Sequence, residues 1–109
     1  MPRDYPIQID VWTVDQGRRD ELVRVLTDLL QRLVVPRKGF LSAQLYESLN
    51  GGSVLLHVRM RTAKDRLELT DSADVHTAYR AARRIARSHS NFYRVVESFG
   101  DTCGPEGAR

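Results

Sequence analysis

Residues 7–14, IQIDVWTV, place Ile7, Ile9, Val11 and Thr13 on one face and Gln8, Asp10, Trp12 and Val14 on the other. This period of two predicts a strand with two unlike faces, both able to be covered. Asp15-Gln16-Gly17 interrupts it, with Asp15 a candidate helix N-cap. From Arg18 to about Leu33 the apolar residues Leu22, Val25, Leu26, Leu29, Leu30 and Leu33 recur at steps of three and four, one stripe of an amphipathic helix. Pro36 closes that helix, and Gly39 permits a turn into the next strand. Residues 40–48 then alternate, with Phe40, Ser42, Gln44 and Tyr46 opposite Leu41, Ala43, Leu45 and Glu47. Asn50-Gly51-Gly52 is a hairpin signal, since these residues tolerate positive φ. Residues 53–62 alternate again, Val54, Leu56, Val58 and Met60 against Leu55, His57, Arg59 and Arg61.

Thr62-Ala63-Lys64-Asp65 resembles a capping box with Asp in place of Glu and opens a short helix to about Leu69. Ser72 can cap a further helix over 73–87, with Val75, Ala78, Tyr79, Ala82, Ile85 and Ala86 as its stripe. Residues 88–91 read as a polar turn holding a solvated His89, and 92–99 (FYRVVESF) as a last strand. The order βαββαβ predicts an α+β, ferredoxin-like sandwich: one four-stranded antiparallel sheet with helices on one face. Its other face, also partly apolar, calls for a second copy, giving a dimeric α+β barrel.

The 109 residues suffice for one domain: a lead at 1–6, the domain at 7–99 and a loose tail at 100–109. Apolar runs are short, far from the roughly 20 residues of a membrane span, and the first residues lack the apolar core of a signal peptide. A cytoplasmic protein is expected, with no membrane partner. The single cysteine, Cys103, excludes an intrachain disulfide. A net charge of +3 permits an anionic partner without requiring nucleic acid, and none is expected.

Several segments together carry a family likeness. They are Val14-Asp15-Gln16-Gly17, Gly39-Phe40-Leu41-Ser42-Ala43, Ser48-Leu49-Asn50-Gly51, the strand 54–60 and the segment 92–96. With these residues the chain resembles the antibiotic biosynthesis monooxygenase family of dimeric α+β barrels over roughly residues 7–99. The resemblance implies a homodimer and a cofactor-free oxygenase of a small hydrophobic aromatic or polyketide intermediate. Related barrels include polyketide cyclases and isomerases, and a non-catalytic ligand-binding or accessory role is the remaining alternative. The chain departs from the family at the third strand. Where anthrone oxygenases read Asn-Tyr-Ala-Gln-Trp, it reads Leu56-His57-Val58-Arg59-Met60. Where haem-degrading members carry Asn, Trp and His, it carries Asp10, Met60 and Arg80, so the resemblance does not extend to haem degradation.

If Leu56 and Met60 turn toward the helices, Asp10 and Trp12 face a cleft between sheet and helices. A carboxylate desolvated there becomes a usable general base, so Asp10 is the candidate catalytic residue. The competing reading is a solvated or Arg-paired carboxylate. The candidate pocket lining is Trp12, which could stack on a flat ligand, with Tyr46, Leu56, Met60, His76 and Tyr79. His57 and Arg59 are expected on the dimer face. Arg80, Arg83, Arg84 and Arg87 form a helical charge run, usually solvated, that could dock an acidic carrier protein. The three histidines lack metal-ligand spacing, so no metal and no cofactor are expected.

Overall fold

The computed structural model describes residues 6–100. The lead at 1–6, except Pro6, and the tail at 100–109, except Gly100, lie outside the described residues. Four strands form one antiparallel sheet: β1 (Ile7–Thr13), β2 (Phe40–Glu47), β3 (Ser53–Met60) and β4 (Arg87–Tyr93), in the order β2-β3-β1-β4. Helices α1 (Arg19–Leu29), α2 (Ala63–Thr70) and α3 (Ala73–Arg83) complete the α+β, ferredoxin-like arrangement.

The two inner strands behave as their alternation predicts. Val54, Leu56, Val58 and Met60 of β3 are buried, as are Gln8, Asp10 and Trp12 of β1. The apolar ones among them pack with Leu22, Leu26, Leu29, Leu30 and Val34 of the first helical arm and with Leu69, Val75 and Ala82 of α2 and α3. Full burial of one such leucine is worth about 1.5–3 kcal/mol. The hairpin turn uses Gly51 at φ 85°, while Asn50 Oδ1 accepts from Gly52 N at 3.0 Å and from Ser48 Oγ at 2.8 Å.

The first helical arm departs from a simple α-helix at both ends. Asp15 makes no side-chain cap, and a 3-10 turn, Gln16–Arg18, leads into α1. Beyond α1, residues Leu30–Val34 form a π turn, marked by the Val35 N to Leu30 O bond at 2.8 Å. In this turn Val34 is buried, and Leu33, expected in the stripe, is only partly so. Both later helices begin as expected. Thr62 Oγ1 accepts from Asp65 N at 3.0 Å and donates to Asp65 Oδ2 at 2.9 Å; Ser72 Oγ accepts from Val75 N at 3.4 Å. Gly39 sits at φ 85°, and a Cβ there would collide with the Asp65 side chain.

Two boundaries differ from the sequence expectation. A β-bulge between Phe40 and Ser42 breaks the alternation of β2, so Phe40, Ala43 and Leu45 all pack on the helical core. The third helix ends at Arg83, not near Arg87, and β4 runs from Arg87 to Tyr93. Residues 94–100 have no regular structure, so the strand expected at 92–99 begins earlier and ends sooner. Pairing explains the shift: β4 registers against all of β1, from Thr13 with Arg87 to Ile7 with Tyr93. Ala82 and Ala86 remain buried through the turn, which is why the helical spacing ran on past the helix.

Candidate active site

A cavity of about 140 Å³ opens between the β1–β4 side of the sheet and helices α2 and α3. Its floor is a row of three paired residues, Val58 on β3, Gln8 on β1 and Phe92 on β4. Ser90, paired with Asp10, lies in the next row and also lines it. Val34, Leu69 and Val75 supply apolar walls, Thr70 and Tyr79 polar ones, and the exposed His76, Arg83 and Phe92 mark the mouth. The Arg83 guanidinium stands 5.5 Å from the centre of the Tyr79 ring.

Behind this wall sits a polar cluster in an otherwise apolar core. Asp10 is wholly buried. Tyr79 donates its hydroxyl to Asp10 Oδ2 at 2.5 Å. Gln8 Nε2 lies 3.1 and 3.2 Å from the two Asp10 oxygens and 3.3 Å from the Tyr79 oxygen. Asp10 is therefore neither solvated nor paired with an arginine; neutral donors hold it. Burial, then the Asp10 charge and hydrogen bond, push the Tyr79 phenol well above its ordinary value of 10.0. Tyr79 thus stays protonated at neutral pH, and Tyr79 and Gln8 are the members of the cluster that line the cavity.

The sequence candidates divide accordingly. Tyr79 and His76 line the cavity, and Asp10 reaches it through Tyr79 and Gln8. Trp12 does not line it. It is wholly buried among Val14, Leu22, Leu26, Val54 and Ala82, with its ring centre 5.8 Å from that of Tyr79. Four residues beyond Gln8 on an extended strand is about 13 Å, which puts Trp12 under α1 instead of under the cavity. Leu56 and Met60 face the helices as expected but are filled in by the core, while Val58 between them meets the cavity. Tyr46 is on the opposite sheet face, half exposed and stacked on His57 at 6.5 Å; with Leu45 packed inward, its neighbour must point out. His57 and Arg59 share that outer face. Burial, with Arg59 nearby, lowers the His57 pKa from 6.5. His89 lies on β4, exposed beside Asn91 at 3.1 Å, not in a turn.

The arginine run is divided. Arg80 and Arg83 lie on α3, Arg84 caps it and Arg87 opens β4. The acidic-carrier expectation therefore has no continuous helical stripe to rest on. Among the described residues, no group of three or more His, Cys, Asp or Glu is placed to hold a metal, and no helix is long and apolar enough to cross a membrane.

The residues that sequence reasoning missed are Gln8, Ser90 and Phe92 above all. Gln8 carried a signal, a polar residue on the same strand face as Asp10 and Trp12. Ser90 carried none while 88–91 read as a turn, and Phe92 reads as the start of the last strand without a place at the cavity.

No protein-family model matches the sequence. The chain is 31% identical over 90 residues to tetracenomycin F1 monooxygenase of Streptomyces glaucescens, covering 83% of this chain and 76% of that protein. The chain belongs to the antibiotic biosynthesis monooxygenase family. Solved structures agree on the fold of this family member. A variant of SnoaB, a cofactor-independent oxygenase from Streptomyces nogalater, superposes with a TM-score of 0.81 at 13% identity, covering 90% of this chain and 99% of that one. The monooxygenase of the ActVA-Orf6 gene of Streptomyces coelicolor, solved with nanaomycin D, has a TM-score of 0.78 at 18% identity, covering 93% of this chain and 96% of that one.

Proposed function

We propose that this protein is a cofactor-independent monooxygenase acting on a hydrophobic aromatic intermediate of polyketide biosynthesis, with Asp10 as the base acting through Tyr79. The observation that carries the reading is the short Tyr79–Asp10 hydrogen bond at the wall of an apolar cavity. The named functions of its relatives support the reaction class. The cavity is what both an enzyme and a non-catalytic ligand-binding barrel require, and the Tyr79–Asp10 pair at its wall favours the enzyme.

The chemistry follows from the cluster. An activated ring methylene gives a proton to the Tyr79 oxygen as the Tyr79 proton passes to Asp10. The substrate anion then gives one electron to O₂, and the resulting radical and superoxide join through a new C–O bond. The peroxide recovers the proton by the same route. The second C–H proton leaves, the O–O bond breaks, and hydroxide departs as water. The methylene becomes a carbonyl, with one oxygen atom retained and the other reduced to water. No cofactor is needed because the substrate anion is the reductant. The cavity is comparable with the ~150 Å³ that accommodates one benzene and smaller than the roughly 300–1,000 Å³ of pockets enclosing drug-sized ligands. It therefore encloses the reacting end of a fused-ring substrate, and the rest lies across the mouth at His76, Arg83 and Phe92.

Metal-free protein should consume O₂ with an anthrone, and Asp10→Asn should reduce the rate at least a hundredfold. Absence of oxygen uptake, with cyclisation of a polyketide substrate instead, would move the protein to the cyclases. The same cluster could supply the base for that reaction.

We further propose a homodimer formed on the outer sheet face. Val11, Tyr46 and Tyr93 are exposed there, and Val96 and Phe99 stand exposed beyond β4. The covered face would include His57 and Arg59, whose Nε2 and Nε are buried without partners. Sedimentation should give twice the 12.5 kDa chain mass; a monomer at micromolar concentration refutes this assembly.

A further inference from the structure

Four neutral side chains with hydroxyl or amide groups line the cavity, Gln8, Thr70, Tyr79 and Ser90, and three of them are committed. Tyr79 donates to Asp10, the Gln8 amide contacts Asp10 and the Tyr79 oxygen, and the Thr70 hydroxyl donates to Leu67 O at 3.1 Å. Ser90 makes no side-chain hydrogen bond among the described residues, and it is exposed. A serine side chain is one methylene and a hydroxyl, so what Ser90 presents is an uncommitted O–H. Its position is fixed by pairing. Ser90 is the β4 partner of Asp10, and cross-strand partners share a sheet face with Cα atoms about 4.5–5.5 Å apart. The hydroxyl therefore stands on the cavity side of the sheet, one strand away from the carboxylate that takes the proton.

We propose that Ser90 is a further catalytic residue, whose hydroxyl donates to the substrate oxygen that becomes charged when the ring methylene is deprotonated. Loss of the proton turns the C–H electron pair into a C=C bond and moves the carbonyl pair onto oxygen. Ser90 donates a hydrogen bond to that oxygen and keeps its own proton. The bond is strongest once the charge has formed, so it lowers the barrier to the anion that later reduces O₂. The substrate class this selects is a cyclic aryl ketone whose carbonyl is conjugated to the reacting methylene. In an anthrone the two groups lie across the central ring from one another, and the Asp10–Tyr79 base and a donor one strand away can engage both together. This role rests on the cavity being the site of the proposed proton abstraction.

The test follows anthrone in D₂O without oxygen, where exchange of its methylene hydrogens, read by proton NMR, reports deprotonation alone. Ser90→Ala should slow the protein-catalysed exchange about 10- to 100-fold, the effect of one hydrogen bond to a charged oxygen. Ser90→Thr, which keeps the hydroxyl, should stay within about threefold of the unaltered protein, inside the loss expected for one hydrogen bond. Anthracene has the rings without the oxygen, and its affinity should be the same for Ser90→Ala and the unaltered protein. That binding is read by the fluorescence of Trp12, the single tryptophan, whose ring centre is 5.8 Å from that of Tyr79. Exchange unchanged in Ser90→Ala overturns the proposal. So does equal slowing in Ser90→Thr, or an anthracene affinity that falls as far as the exchange rate, which marks a packing role. Oxygen uptake on anthrone is scored separately, in air. Ser90-dependent exchange without uptake leaves the donor in place and removes the oxygenase reading. Uptake with exchange indifferent to Ser90 does the reverse.

Discussion

Replacing Tyr79 by Phe removes one oxygen atom from the centre of the polar cluster. Asp10 is wholly buried, and its donors are the Tyr79 hydroxyl at 2.5 Å and the Gln8 amide at 3.1 and 3.2 Å. The substitution takes away the shortest of these contacts and leaves a buried carboxyl oxygen dependent on Gln8 alone. Loss of a hydrogen bond to a charged group is worth about 1.5–3 kcal/mol. At about 4–8 °C per kcal/mol for a domain of this size, the melting temperature should fall by about 10 °C. Alkaline behaviour should change as well. The Tyr79 pKa is raised in the folded state, so the stability it confers is fully present below pH 10.0 and is lost as pH rises toward its folded value. The variant should lose that component of the alkaline decline. Catalysis is the decisive readout. With the proton path cut, oxygen uptake on an anthrone should drop about 10²–10⁴-fold at a temperature where the variant is fully folded. Calorimetry, urea titration at pH 8 and pH 10.5, and an oxygen electrode check the three parts. Uptake within threefold of the unaltered protein refutes the proton route through Tyr79. A melting shift below 2 °C refutes the buried hydrogen bond itself.

Two further perturbations follow from the scaffold. Gly39→Ala places a Cβ at φ 85° against the Asp65 side chain and should cost about 2–3 kcal/mol, seen as a lower urea midpoint with the slope retained. His57 has a pKa held below 6.5 by burial and by Arg59. The stability linked to its neutral form is present above pH 6.5 and is lost as pH falls toward the folded value. His57→Gln should flatten the change in urea midpoint between pH 7.5 and 5.5; an unchanged slope excludes His57 as its source.

Much of the scaffold was legible because it rests on local chemistry. The faces of β1 and β3, the Asn50-Gly51-Gly52 turn and the Thr62 and Ser72 caps all follow from spacing and residue type. What escaped was decided across strands. A single bulge after Phe40 broke the alternation that had grouped Phe40 with Tyr46, and so moved Tyr46 away from the expected pocket. Arg87-Ser88-His89-Ser90-Asn91 has little intrinsic preference for a strand and becomes one because β1 offers a full ladder. That one error hid Ser90. Asp10 and Tyr79 could be nominated separately, but that they bond, with Gln8 in contact with both, required the packing of α3 over β1.

The π turn at Leu30–Val34 gives the cavity a property of its own. A π turn holds one residue more than an α-helix would over the same stretch, and Gln31 and Arg32 within it are exposed. Val34, at its end, is the lining residue that this arm contributes. Gaining or losing one surface residue here would rotate that wall, while Gln8, Asp10 and Tyr79 keep their places on β1 and α3. Length variation in one helix thus offers such a scaffold a way to admit rings of different outline, leaving the route of the proton as it was.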